Sequence, residues 1–210
     1  MSETVIQVTS LGKRIKVKTI LEDISFEINQ GDCVALIGPN GAGKTVLMSC
    51  ILGDKKPSSG QVLIDGKTGK AKNKIAVLLQ ENTIPNSLKV EELIAFFQSI
   101  SDNPLTNQEV QKLLQFKEDQ YQQFADKLSG GQRRLLAFVL CLIDKPKILF
   151  LDEPTAGMDT STRQRFWEIV NDLKKAGTTI LYSSHYIEEV EHTADRILVL
   201  HQGKLIRDTT

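Results

Sequence analysis

The sequence lacks a long apolar stretch. Its longest uninterrupted apolar run, residues 135–143, has nine residues, whereas a helix needs roughly 20 apolar residues to cross a bilayer. The first ten residues also lack the basic region and apolar segment that mark a secretory signal. We therefore expect a cytosolic chain that does not itself insert into a membrane. Any membrane-spanning part of its function must then come from a separate chain.

Net charge and paired cysteines are also missing. The 26 Lys and Arg residues balance the 26 Asp and Glu residues, so we expect no nucleic-acid partner and no general attraction to anionic lipid. No Cys–Cys or Cys–His pair has the spacing of metal ligands. We expect reduced thiols, packed in the core of a chain from a reducing compartment, at Cys33, Cys50 and Cys141.

Patterns of apolar residues predict one α/β domain over residues 1–210. Solidly apolar runs such as 33–37 are typical of strands buried on both faces of a parallel sheet. The alternation at Ile24, Phe26 and Ile28 predicts an antiparallel β portion near the N-terminus. Strand and helix then alternate in the last third, which implies parallel pairing with crossover helices. The predicted strands also include 5–8, 62–64, 75–79, 147–151, 179–183, 196–200 and 204–206, and the predicted helices include 44–52, 90–100, 131–143 and 162–175.

The middle of the chain is expected to form a helical subdomain, residues 81–140, inserted into a core made of residues 1–80 and 141–210. Thr106 and Glu109 have the spacing of a capping box and predict a helix start there. The first helix of the insert is expected to bury one apolar face, made of Leu93, Ile94, Phe96 and Phe97.

The segment from Gly38 to Thr45 matches G-x-x-x-x-G-K-[ST] at every fixed position. Its glycines let backbone N–H groups point at a polyphosphate, and the start of the following helix adds a positive dipole. Lys44 brings a full charge to the β- and γ-phosphates, and the Thr45 hydroxyl is placed to bind Mg²⁺. This predicts a P-loop ATPase core, whose expected nucleotide contacts are Asn40, Gly41, Ala42, Gly43, Lys44 and Thr45.

Two adjacent carboxylates follow the apolar run at 148–151. A strand that ends in acids places them at the carboxyl edge of the sheet, where open α/β sheets bind ligands. Asp152 suits coordination of Mg²⁺, and Glu153 suits a general base that polarises an attacking water. Many strands end in Asp or Glu, so this interpretation depends on the phosphate loop upstream.

Residues 128–132, LSGGQ, precede an apolar helix. Ser129 is placed as its N-cap, and the two glycines leave backbone N–H groups uncovered, which predicts a second anion site. LSGGQ is also the signature sequence of ABC ATPases, a family that the chain resembles over nearly its whole length. The family's other motifs follow in the same order: the phosphate loop at 38–45, Gln80 in the Q-loop, the acidic strand at 148–153, Asp159 in the D-loop and His185 as the switch histidine.

The resemblance implies a head-to-tail dimer of ATPase subunits, identical or different, that closes around ATP and Mg²⁺. Ser129, Gly131 and Gln132 of one subunit then cover the nucleotide on the phosphate loop of the other. His185 holds the γ-phosphate, Asp159 contacts the opposite subunit, and Gln80 links the site to a membrane partner. The expected catalytic residues are Lys44, Gln80, Glu153 and His185, and the expected metal-binding residues are Thr45, Gln80 and Asp152.

Three functions remain open at this point. The first is the motor subunit of a transporter, which hydrolyses ATP at the inner face of the cell membrane to drive a separate membrane-spanning permease. The second is an ABC ATPase without transport, and the third is a P-loop kinase. The sequence segments at 89–93 and at 156–159 are similar to those of the export-type subfamily, so we expect an exporter.

The sequence departs from the family in one place. The family usually stacks adenine on an aromatic residue upstream of the phosphate loop, but residues 1–24 contain no Phe, Tyr or Trp. Counting back from Gly38 places that position near Ile15. We therefore expect adenine to rest on aliphatic side chains, with Ile15 as the contact.

Overall fold

The fold consists of two β-sheets and seven α-helices within residues 3–67, 75–80, 84–85 and 87–210, which the computed structural model describes. The strands are β1 (Thr4–Ile15), β2 (Lys18–Asn29), β3 (Cys33–Ile37), β4 (Ser59–Ile64), β5 (Ile75–Leu78), β6 (Ile148–Leu151), β7 (Thr179–Ser184), β8 (Arg196–His201) and β9 (Lys204–Thr209). The helices are α1 (Lys44–Ile51), α2 (Val90–Ser99), α3 (Asn107–Leu114), α4 (Glu118–Tyr121), α5 (Gly130–Leu142), α6 (Thr160–Lys175) and α7 (Ile187–Thr193).

The larger sheet has the strand order β5-β6-β7-β3-β8-β9, and only β9 runs antiparallel to its neighbour. Strands β3 and β6 are solidly apolar, and every residue of β6 and β7 is buried. Parallel strands end at a common edge. The loops that follow β3, β5, β6 and β7 therefore meet, and these loops carry most of the predicted site residues.

The smaller sheet is antiparallel, with the order β2-β1-β4. Its inward side chains, such as Ile6 and Ile24, are fully buried in one cluster with Leu47 of α1 and Leu36 of β3. This sheet therefore packs over the helix that follows the phosphate loop and helps to fix that helix in place.

The apolar run at 135–143 is a buried helix. Most of it belongs to α5, whose Phe138 ring lies 4.3 Å from the ring of Phe166 on α6, between centroids. The same cluster includes Tyr182 of β7. Within the described ranges, every helix is too short or too polar to be a candidate membrane span.

The predicted α/β fold, with a mainly parallel sheet and an N-terminal antiparallel portion, is confirmed. The strand at 33–37, the capping box of Thr106 and Glu109, and the core position of Cys33 are confirmed as well. Burial raises the pKa of the Cys33 thiol to about 12 and that of Cys141 to about 11, so both thiols are neutral.

Some predictions about elements were wrong or incomplete; for example, β1 extends over Thr4–Ile15 rather than residues 5–8. Phe96 does not belong to the buried face of α2, because its side chain is 54% exposed. Helix α6 begins at Thr160 rather than at residue 162, because Asp159 serves as its N-cap. The short helices α4 and α7 were not predicted. The subdomain boundaries stay a prediction: residue 81 lies outside the described residues, and α5 continues past residue 140 to Leu142.

Candidate functional site

The turn between β3 and α1 can be formed only by glycine at two positions. Gly43 has φ 107°, and a Cβ there would lie 2.8 Å from Leu21 Cδ2 of β2. A Cβ at Gly38 would lie 2.1 Å from the carbonyl oxygen of Leu200 in β8. The turn is therefore pressed against both sheets, which fixes its backbone in a curled shape.

The start of α1 is open to a ligand. Gly43 is its N-cap, and no side chain from the described residues caps it. Its first N–H groups and positive dipole end therefore face the loop. The Lys44 side chain is 6% exposed, and its Nζ donates to the carbonyl oxygens of Gly38 at 2.7 Å and Pro39 at 3.3 Å. Thr45 is exposed in the first turn. This arrangement suits a polyphosphate, as predicted.

Asp152 follows β6 and is 2% exposed. One carboxylate oxygen, Oδ1, accepts a hydrogen bond of 2.6 Å from Ser183 Oγ at the end of β7. The other oxygen, Oδ2, is buried and has no hydrogen-bond partner among the described residues. A buried carboxylate oxygen without a partner is costly, so this atom fits a cation that other groups help to hold. The described residues contain no cluster of three metal-ligating side chains, so such a cation would need further oxygen ligands.

Glu153 brings three of the predicted residues together. Its Oε1 lies 3.5 Å from His185 Nδ1 and 3.9 Å from Lys44 Nζ. Its Oε2 accepts a hydrogen bond of 3.5 Å from Gln80 Nε2. His185, Lys44 and Gln80 follow β7, β3 and β5 respectively, so side chains from three strand ends lie beside the Glu153 carboxylate.

The backbone of Glu153 is strained. Its φ of 44° lies in the left-handed region, which costs a non-glycine residue free energy and is typical of functional sites. Its N–H donates to Ser183 Oγ at 2.8 Å. Ser183 is fully buried and contacts both acidic residues, so it orients Asp152 and Glu153 together. The sequence analysis missed Ser183, because nothing local to it marks this role.

A second buried carboxylate lies behind His185. Glu189 of α7 is 8% exposed and accepts hydrogen bonds from Thr155 at 2.8 Å and Ser184 at 3.0 Å. Its Oε1 lies 3.6 Å from Arg163 Nε, and the Arg163 guanidinium lies 5.2 Å from the centroid of the Tyr186 ring. The Tyr186 ring in turn stacks on His185, with 4.1 Å between centroids. This network joins the loop before α6 to the loop that carries His185.

The signature residues form the start of α5. Ser129 Oγ accepts from the backbone N–H of Gln132 at 3.2 Å, and the Gln132 side chain accepts from the N–H of Ser129 at 3.1 Å. Gly131 is glycine for a packing reason, since a Cβ there would lie 3.2 Å from Asp159 Oδ2. Gly130 faces open space. No described hydrogen bond or ion pair joins these residues to the phosphate loop of the same chain.

Two other predicted residues lie on loops. Asp159 accepts hydrogen bonds from the backbone and hydroxyl of Thr162 at 3.0 and 2.7 Å, and the backbone bond lowers the pKa of its carboxyl. Ile15 is the last residue of β1 and is 42% exposed. It pairs with Lys18 across the hairpin. A cavity of about 950 Å³ lies at the opposite, amino edge of β6 and β7, and none of the predicted site residues lines it.

Comparison with known proteins agrees with this geometry. Residues 21–156 match the family described as ABC transporter. The chain is 35% identical to the linearmycin resistance ATP-binding protein LnrL of Bacillus subtilis, over 96% of this chain and 68% of LnrL. It is 33% identical to the Nod factor export ATP-binding protein I of Ralstonia nicotianae, over 98% of this chain and 67% of that protein.

A solved structure of cbiO1 from Clostridium perfringens, part of the ABC transporter complex cbiONQ, has the same fold. It matches with a TM-score of 0.83 and 26% identity, over 99% of this chain and 88% of that chain. About a third of each curated relative lies outside the part that this chain matches. Motifs, site geometry and relatives all agree: the chain belongs to the ABC transporter family, as one of its ATP-binding and ATP-hydrolysing cassettes.

Proposed function

We propose that two ATPase subunits close around ATP, that Glu153 activates the attacking water, and that this cycle drives a membrane-spanning export permease. One observation supports this most strongly. The Glu153 carboxylate lies within 3.9 Å of polar nitrogens of Lys44, Gln80 and His185, beside the unpartnered oxygen of Asp152.

The phosphate contacts come from the loop Gly38–Thr45 and the start of α1. The backbone N–H groups of Asn40, Gly41 and Gly43 would face the β- and γ-phosphates, while that of Ala42 donates within the loop to the Pro39 carbonyl at 3.1 Å. Lys44 would exchange its loop carbonyls for phosphate oxygens. This exchange would place the Lys44 charge beside the γ-phosphate, which is the group transferred to water. Ile15, at the exposed hairpin, contacts the base.

Mg²⁺ fits the acidic edge. Asp152 Oδ2 would hold it, directly or through water, together with the Thr45 hydroxyl and Gln80. When bound, Mg²⁺ neutralises charge on the phosphate oxygens. The side chains act around it: Ser183 keeps Asp152 oriented, and Gln80 lies on the Oε2 side of Glu153.

Glu153 is the general base in this proposal. It accepts a proton from the water as the water oxygen bonds to the γ-phosphorus. The bond from the γ-phosphorus to the bridging oxygen breaks, which gives ADP as the leaving group and inorganic phosphate. His185 lies on the Oε1 side at 3.5 Å and is positioned to hold the γ-phosphate. The Tyr186 ring and Glu189 support the loop of His185 from behind.

The signature residues complete the site from a second subunit. Within one chain, the described contacts do not join Ser129, Gly131 or Gln132 to the phosphate loop. Their helix start would instead cover the γ-phosphate of the opposite subunit, with Asp159 beside it. The shared phosphate then holds the dimer closed, and hydrolysis releases it. The partner subunit is a second copy of this chain or a different cassette.

The permease assignment rests on two observations. Phe96 and Ile100 are 54% and 66% exposed and lie one turn apart at the end of α2, so the helical part presents apolar side chains that suit a protein partner. LnrL and the Nod factor protein are named for resistance and export. We therefore place the chain at the inner face of the cell membrane, bound to an exporter. A non-transport ABC ATPase is the second candidate, and co-purification with a multi-span membrane protein separates the two.

The metal assignment is tested with Asp152→Asn. The amide keeps an acceptor for Ser183 but has no charge for a cation. We expect Mg²⁺-dependent ATP hydrolysis to be lost, while ATP binding measured in EDTA stays at the wild-type affinity. Asp172→Asn, at a carboxylate that is 78% exposed on α6, is the matched control. Wild-type Mg²⁺-dependent hydrolysis by Asp152→Asn would contradict the assignment.

A further inference from the structure

Arg134 donates hydrogen bonds to five backbone carbonyl oxygens from one guanidinium. Nε donates to Pro154 at 3.0 Å. Nη1 donates to Gln80 at 3.0 Å and also to Leu79. Nη2 donates to Asp152 at 3.1 Å and to Glu153 at 3.4 Å. All five acceptors lie just after the ends of β5 and β6, in the segments that carry Gln80 and Glu153.

These carbonyls lie beyond the ends of the strands, and the Glu153 oxygen also accepts from the N–H of Ala156 at 3.3 Å. Strands β5 and β6 end at Leu78 and Leu151, so the residues that follow have left the regular ladder of the sheet. A guanidinium has five N–H donors in a fixed, planar fork, and it can serve two chain segments at once. Lysine has one compact donor group and cannot span the same set.

The position of Arg134 on α5 links a third segment. It lies five residues after Ser129, so the same helix carries the signature at its start and this guanidinium near its first turns. Arg134 is partly buried, and this burial lowers the pKa of its guanidinium. Among the described residues, the buried Nε of the neighbouring Arg133 has no hydrogen-bond partner.

The contacts also surround the strained residue. Arg134 holds the carbonyls of Asp152, Glu153 and Pro154, which flank and include the backbone position with φ 44°. A strained conformation persists only where its surroundings fix it. From the other side, Ser183 holds the N–H of Glu153.

We propose that Arg134 is a positioning residue for hydrolysis: it fixes the Q-loop and the backbone of Glu153 to the signature helix, so that Gln80 and Glu153 keep their places when the signature meets ATP. The proposal rests on the roles proposed above for Gln80 and Glu153. In this proposal Arg134 acts through backbone carbonyls and not through a contact of its own with ATP.

The test compares Arg134→Met and Arg134→Lys with Arg165→Met. Arg165 of α6 is the control, because its guanidinium also donates to backbone carbonyls of another element, those of Lys112 and Leu113 in α3, but away from the site. We expect Arg134→Met to lower kcat by about tenfold to a hundredfold, as small misplacements of catalytic groups do. ATP affinity should stay within about threefold, because no phosphate contact is lost. Arg134→Lys should recover part of kcat, and Arg165→Met should keep kcat within about twofold while lowering Tm.

A second measurement separates positioning from general destabilisation. Combining Arg134→Met with Glu153→Gln should lower the residual rate no further than Glu153→Gln alone, because both changes remove the same function. If Arg134→Met does not fold, Arg134→Lys and its combination with Glu153→Gln decide by the same criteria. Multiplied losses, an unchanged kcat, or equal losses of kcat in the Arg134 and Arg165 variants would overturn the inference. If Glu153→Gln itself keeps its turnover, the proposed function fails instead.

Discussion

Two helices of this cassette begin at glycine-rich loops, and their first turns differ. Helix α1 begins after Gly43, at φ 107°, with no side-chain cap from the described residues. Helix α5 begins after Ser129, whose side chain and that of Gln132 cap each other's backbone N–H groups. The first start is open, and the second already has internal partners.

The difference suggests a separate function for each helix start. Open N–H groups and a buried lysine suit the start of α1 to phosphate binding within one chain. The start of α5 is held rigid by its own bonds, yet the Ser129 hydroxyl that accepts from Gln132 keeps its hydrogen to donate. Gly130 leaves the approach free of side chains. The second start therefore suits a preformed surface that docks onto phosphate already bound elsewhere.

The largest expected effect tests whether ATP hydrolysis depends on Glu153, which lies beside the start of α1. Glu153→Gln should keep ATP binding but lower the steady-state hydrolysis rate by at least about a hundredfold, because an amide cannot accept the proton of water. The ATP-bound dimer should then persist in gel filtration with Mg-ATP. Glu118→Gln, at an exposed carboxylate of α4, is the control. Wild-type turnover by Glu153→Gln would show that another group is the base.

The next effect tests whether α1 alone holds the nucleotide. Lys44→Ala removes the charge that faces the phosphates, and charge-assisted hydrogen bonds of this kind contribute roughly 1.5–3 kcal/mol. ATP affinity measured by calorimetry should fall by at least about tenfold. Lys55→Ala, at an exposed lysine shortly after α1, should leave the affinity unchanged. Equal affinities of the wild type and Lys44→Ala would contradict the role of the loop.

The smallest expected effect concerns the contact between Ile15 and the adenine base of ATP. The first aromatic residue in the sequence, Phe26, is buried in the core, whereas Ile15 is 42% exposed. Stacking on an aromatic ring contributes roughly 1–3 kcal/mol per base in single-strand binding proteins, and an aliphatic side chain offers little of this. We expect GTP to bind within about tenfold of ATP, as measured by competition.

Ile15→Tyr should tighten ATP binding in the same competition assay, because it supplies a ring at that position. A wild-type preference for ATP over GTP well beyond tenfold would show that another part of the chain distinguishes adenine from guanine.

Local patterns predicted the two helix starts but missed the contacts that align them. The turn at 38–45 and the cap at Ser129 depend on residues within a few positions of each other, so sequence spacing was sufficient. Arg134 instead binds carbonyls of Leu79 and Gln80, 55 and 54 residues away. Ser183 contacts Asp152 across 31 residues, and Glu189 contacts Thr155 across 34. Such contacts arise only when the sheet brings strand ends together. The exposure of Phe96 has a similar cause: apolar character alone does not show which side of a helix the core covers.

The central claim is that one ATP site combines the α1 start of one subunit with the α5 start of another. It is tested most directly by mixing two inactive variants, Lys44→Ala and Ser129→Arg. A mixed dimer then contains one site with both changes and one intact site. Each variant alone should be inactive, and an equal mixture should recover about a quarter of the wild-type hydrolysis rate, since half of the dimers are mixed and each has one intact site. A mixture as inactive as either variant alone would contradict the claim.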